Sequence, residues 1–261
     1  MSNAPVVGHL LQCFDSIDGL LDGLTDEQWA IRSLCPAWTV RGVVTHLGAI
    51  EHMLGGLEPG ALDDAVPFAR VGEWIAEVEG LSTTDLLARY REAIARRRSE
   101  LAALTHAEFD RAGMTPVGPG TYGRFMNIRV FDLWVHEQDM RVPLQLPGHE
   151  DGPAAESAIG EIEGSLPYII GKKVQLPDGM SITIELNGPV TRTFHVAVDG
   201  RAKRVDSLTA PDVVLRTDST TFALLACGRI DPQGPIDDGR ITWTGDALWG
   251  DTAARNLAFT M

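Results

Sequence analysis

Arg129-Val130-Phe131-Asp132-Leu133-Trp134-Val135-His136-Glu137-Gln138-Asp139 decides how this 261-residue chain is read. As a helix, the stretch puts Asp132 and His136 one turn apart and projects both from one face. Arg129 and Asp139 fall near that face, among Ile128 and Val135. An ionisable cluster on a face that should otherwise pack needs a partner. The best partner is His46, at the edge of a second helix-like stretch over residues 40–54. The apolar face there is Val43, Leu47, Ile50 and Leu54. Two imidazoles and one carboxylate from two packed helices make a three-ligand divalent metal site with room for water or substrate.

Working outward, residues 9–24 carry apolar side chains at helical spacing. Thr25 and Gln28 form a capping-box pattern for a short helix. A loop over residues 33–38 leads to Thr39, placed to cap the His46 helix, which stops at Gly55-Gly56. Residues 58–80 read as a long functional loop with a helical piece over 73–78. Ser82 or Thr83 opens a long helix to about Leu104, with Asp85 in its first turn. Residues 113–123 read as loop, and the Asp132 helix is expected to end before Pro143. Four principal helices predict an antiparallel four-helix bundle.

The turn-forming run Pro147-Gly148-His149-Glu150-Asp151-Gly152-Pro153 separates a domain over 1–146 from a second over 153–261. Beyond about residue 174 the apolar period changes to two. Strands are predicted over 181–186, 191–198, 212–217 and 241–245. A helix capped by Asp218 or Ser219 runs to Cys227, and a terminal helix covers 246–259. This is an α+β module on an antiparallel sheet. The acidic tract Glu156, Glu161, Glu163 reads as solvated surface.

A formal net charge of -14 argues against nucleic acid as a partner, since a phosphate backbone would be repelled. The basic run Arg89…Arg98 is the solvated face of a helix. No apolar stretch approaches the roughly 20 residues of a membrane span. The N-terminus lacks the features of a signal peptide, so the expectation is a cytoplasmic protein. Cys13, Cys35 and Cys227 match neither a disulfide framework nor a metal knuckle and fit a reducing compartment. Any catalytic thiol is therefore expected from outside the chain.

Leu34-Cys35-Pro36-Ala37-Trp38-Thr39-Val40-Arg41-Gly42-Val43-Val44-Thr45-His46-Leu47 resembles the CPGWTVxDVxxHL segment of the mycothiol-dependent maleylpyruvate isomerase family. That family belongs to the DinB-like superfamily of metal-binding four-helix bundles. Asp132 through Asp139 is similar to the family's second metal segment. The resemblance implies His46, Asp132 and His136 as ligands of zinc or another divalent metal. It further implies mycothiol as cosubstrate, a small electrophilic substrate, and a smaller sterol-carrier-like α+β domain. Maleylpyruvate-type isomerisation or thiol S-transfer would follow, by a monomer or homodimer. The sequence departs from the pattern at Asp132, where the isomerase has Glu, and at Ala37, where Gly is usual.

Other residues carry two readings each. Asp139 either hydrogen-bonds a ligating imidazole or pairs with Arg129 or Arg141. Trp38 and Trp134 are candidates to line the thiol pocket, although bundle tryptophans more commonly fill cores. Arg229, after Gly228, either suits a helix dipole or holds a substrate carboxylate. His52 lies nearly opposite His46 on its helix, and His9, His106, His149 and His195 sit in no ligand spacing. Two rival functions stay open: metal-dependent hydrolysis with Asp139 or Glu137 as base, and a non-catalytic small-ligand-binding protein.

Overall fold

The computed structural model describes residues 4–60 and 66–260. The chain divides into two compact units at Gly148/His149, inside the turn-rich run. The first contains α1 (Pro5–Leu21), α2 (Asp26–Trp29), α3 (Val40–Leu54), α4 (Ala69–Val78) and α5 (Thr83–Ala103). A hairpin, β1 (Ala112–Thr115) and β2 (Gly118–Thr121), leads into α6 (Tyr122–Leu144). The bundle consists of α1, α3, α5 and α6, in which α1 and α3 each pack against both α5 and α6, while α4 lies against α3.

Local signals account for these helices. Thr39, Ser82 and Thr121 each accept a backbone N–H three residues on, capping α3, α5 and α6. Thr25 and Gln28 complete their reciprocal capping box. Helix α1 buries Val7, Leu10, Phe14, Ile17 and Leu21, one stripe at helical spacing. By contrast α6 is the central helix and buries polar groups too, Arg129, His136, Glu137, Gln138 and Asp139 among them.

Two expectations in this unit change. Residues 113–123 include a paired hairpin, because the turn between Thr115 and Gly118 brings two short strands into register. Helix α6 does not stop before Pro143 but runs through it to Leu144. Proline has no N–H for the carbonyl four residues back, here that of Asp139. That carbonyl instead accepts the Leu34 N–H, at 3.0 Å. The bond ties the 33–38 loop to α6.

The second unit begins with α7 (Gly152–Tyr168), which continues through a wider turn at Ile169–Val174. The acidic tract expected as plain surface is one side of this helix, whose other side buries Ala155, Ala158, Ile159, Ile162 and Leu166. There follow β3 (Ser181–Asn187), β4 (Arg192–Asp199), β5 (Arg201–Arg204), β6 (Val213–Asp218), α8 (Ser219–Ala226), α9 (Gln233–Asp237), β7 (Ile241–Gly245) and α10 (Ala247–Arg255). The terminal helix is thus shorter than residues 246–259. The sheet order is β5-β4-β3-β6-β7, antiparallel except for the central β3–β6 pair, which is parallel. Ile182, Ile184, Val196 and Leu215 are fully buried on it. Among the described residues no helix is long and apolar enough to cross a membrane.

Candidate metal centre

The Thr39 cap starts α3 so that His46 comes up two turns later beside α6. His46 Nε2 lies 3.6 Å from Asp132 Oδ2, and His136 Nε2 lies 3.5 Å from Asp132 Oδ1. The two imidazoles meet edge to face, ring centres 4.8 Å apart. One ligand atom from each of the three residues falls within 4.8 Å of the other two. Metal–ligand bonds of about 2.1 Å in a tetrahedron place neighbouring donors about 3.4 Å apart. The spacing therefore suits one divalent ion. His46 Nε2 supports that fit independently: it is buried and has no hydrogen-bond partner.

The candidate ligands are themselves held. Asp139, fully buried, accepts a hydrogen bond from His136 Nδ1 at 2.8 Å and from the Cys35 thiol at 3.1 Å. A carboxylate there keeps the proton on Nδ1 and leaves the Nε2 lone pair facing Asp132. Cys35, His136 and Asp139 form a second group of metal-binding types. Their 2.8 and 3.1 Å separations are those of shared protons, shorter than a metal's donor–donor spacing. Trp38 stacks on the His46 ring at 4.9 Å and tilts over His136 at 5.7 Å.

Charge around Asp132 is set by a neighbour one turn back, since the Arg129 guanidinium donates to its Oδ2. Burial alone would raise the Asp132 carboxyl. Arg129, with His136 and His46, overrides burial and holds it well below the usual carboxylate range. Arg129 also donates twice to Glu51. A cavity of about 490 Å³ opens beside His46, lined by Trp38, Thr45 and, from α4, Val71, Ile75 and Val78. A larger hollow beside Asp22 and Arg141, about 620 Å³, is lined by none of the three candidate ligand residues.

His46, Asp132, His136, Asp139 and Trp38 thus come together. Trp134 does not join them; it is buried in the bundle and lines no part of the cavity. Arg229 belongs to the second unit, where its Nη1 donates to the Cys227 carbonyl at the end of α8. That is the dipole-facing position. His52 sits apart against Trp74. Sequence reasoning missed Cys35, Glu51 and Arg97 as parts of the site's support. Two of them were signalled. Glu51 continues the buried Leu47–Leu54 stripe of α3, and Arg97 falls in the Tyr90, Ile94, Leu101 stripe of α5. A charge inside an apolar stripe implies a buried partner.

Comparison with known proteins bears on the family and the fold. Residues 10–141 match the family model described as the mycothiol maleylpyruvate isomerase N-terminal domain, and residues 156–255 match its C-terminal companion. No curated protein matches the chain. The crystal structure of the mycothiol-dependent maleylpyruvate isomerase is 16% identical, with a TM-score of 0.59 over 95% of this chain and 98% of that one. A mutant of that isomerase gives 15% identity and a TM-score of 0.60 over the same shares. Sterol carrier protein 2 from Yarrowia lipolytica, in its apo form, is 13% identical with a TM-score of 0.29, covering 40% of this chain and 92% of its own. At such identities the isomerase likeness is one of fold: a helical bundle followed by a domain built on an antiparallel sheet.

Proposed function

The chain belongs to the mycothiol maleylpyruvate isomerase family, and from that premise we propose that it is a metal-dependent isomerase or S-transferase whose cosubstrate thiol, mycothiol, attacks an electrophilic carbon of a small molecule. A divalent cation, zinc in this reading, supplies Lewis acidity that converts a thiol into its reactive thiolate near neutral pH. His46 and His136 offer their Nε2 lone pairs and Asp132 an oxygen to hold it. Asp139 keeps the His136 ring in the tautomer that leaves Nε2 available. Trp38 shields the imidazoles on one side, and the cavity beside His46 admits thiol and substrate. The orphaned Nε2 of His46, facing an acidic partner beyond hydrogen-bond reach, is the observation that carries the reading.

Hydrolysis is the weaker alternative, because its two candidate bases are engaged elsewhere. Asp139 is fully buried against His136 and Cys35, and Glu137 is fully buried and accepts from Ser16 and Arg141. The three cysteines are buried and none is in a disulfide, which supports a reducing, cytoplasmic setting.

Metal analysis of protein purified without chelators tests the proposal. We expect a divalent ion in the wild type, lost in His46→Ala, and turnover of maleylpyruvate or a generic electrophile only when mycothiol is present. Metal content indifferent to His46→Ala, or ester hydrolysis without thiol, would overturn it.

A further inference from the structure

Behind Asp132 lies a chain of buried charges drawn from three helices. Arg129, 3% exposed, donates from Nε and Nη2 to Glu51 Oε1, at 3.0 and 2.8 Å, and from Nη1 to Asp132 Oδ2. Glu51, 2% exposed, accepts from Arg97 Nε on its other oxygen at 3.1 Å. Arg97, 1% exposed, donates to Glu100 at 2.8 Å and to the Tyr122 hydroxyl at 3.3 Å. Carrying three charges out of water is expensive, and buried ion pairs of this kind can often be replaced by apolar residues with no loss of stability. Stability is therefore a poor reason for the chain to exist. Its end point offers a better one, since every link fixes the guanidinium that grips a ligand carboxylate.

The grip is on one oxygen. Oδ2, which lies 3.6 Å from His46 Nε2, accepts from Arg129, while Oδ1 makes no bond to the guanidinium and lies 3.5 Å from His136 Nε2. Resting on the metal centre proposed above, we infer that Arg129 is a positioning residue that keeps Asp132 a one-oxygen ligand and offsets its negative charge. Two neutral imidazoles contribute no charge of their own. Glu51 is itself met by Arg97, so Asp132, Arg129, Glu51 and Arg97 together carry no net charge; a divalent ion then keeps its positive charge largely uncompensated, and its remaining position favours an anion such as a thiolate. Glu51 and Arg97 act through Arg129: each removes a way for the guanidinium to turn away from Asp132.

The full-length protein loaded with cobalt(II) provides the test, through its visible absorption band and through thiocyanate titrated as an anionic probe. In Arg129→Met the second oxygen of Asp132 is released, and the band is expected to weaken as a further ligand atom enters. Thiocyanate binding is expected to weaken by about tenfold, the scale on which groups behind metal ligands act. Arg129→Lys should restore part of both signals, whereas loss of a purely structural contact would leave both unmoved in the folded variant. Glu51→Gln should shift them in the same direction by less, and it decides the matter should Arg129→Met not fold. A folded Arg129→Met, or failing that Glu51→Gln, with the wild-type band and thiocyanate affinity overturns this inference alone. A wild type that takes up no cobalt overturns the metal centre and this inference with it.

Discussion

Tyr90 shows how closely the interior around the site is drawn. Its hydroxyl is buried and has no hydrogen-bond partner, and burial beside Glu51 pushes the phenol far above its ordinary range. A desolvated, unsatisfied hydroxyl lowers stability without return. Tyr90→Phe keeps the ring in the Leu86–Leu101 stripe and removes the orphan. We expect the variant to gain about 1 kcal/mol, read as a higher urea midpoint at unchanged slope. A loss of stability would mean that the hydroxyl has a partner the packing does not reveal. Trp134 teaches the complementary lesson. Its aromatic character invited a role in the pocket, but helix α6 turns it into the core. Trp38, on a loop rather than a bundle helix, is the tryptophan that reaches the imidazoles.

At the level of elements, the site depends on a loop being fastened to a helix. Pro143 cannot return a hydrogen bond to the Asp139 carbonyl, and the Leu34 N–H takes its place. The side chain of the next residue, Cys35, then reaches the carboxylate of the same Asp139. Pro143→Ala restores an N–H that competes for that carbonyl, so the loop should loosen. Cys13 and Cys227 are no more than 1% exposed and Cys35 is 8% exposed, so labelling by a thiol reagent in the native protein reports chiefly on Cys35. We expect labelling to be several-fold faster in Pro143→Ala than in wild type. An unchanged rate would show that the loop is held by its other bonds, such as Ser33 N–H to the Trp38 carbonyl and Val40 N–H to Ile31.

On the scale of the whole molecule, the two units have separate cores. The second owns a five-stranded sheet with apolar residues of α7 and α8 buried beside buried strand residues. A segment of this size with its own core should fold alone. Residues 149–261 expressed without the bundle are expected to unfold in one cooperative transition with a retained near-ultraviolet circular dichroism signal. A broad, non-cooperative melt would show that this unit needs the rest of the chain.

The bundle helices, the caps Thr25, Thr39 and Ser82, and the turn-rich break near residue 148 were legible in the sequence alone, as was the one-turn spacing of Asp132 and His136. Each follows from rules acting within a few residues: the 3.6-residue period, a hydroxyl three positions before an N–H, a run of turn formers; joining His46 to that pair, 86 residues away, rested on the family resemblance. Only the tertiary structure decided the Cys35–Asp139–His136 link, the Glu51–Arg97–Arg129 charges behind Asp132, the passage of α6 through Pro143 and the parallel β3–β6 pair. Those features join residues many positions apart. Their geometry depends on how far each helix is rotated about its axis and in which register strands meet, and packing of the complete core sets both.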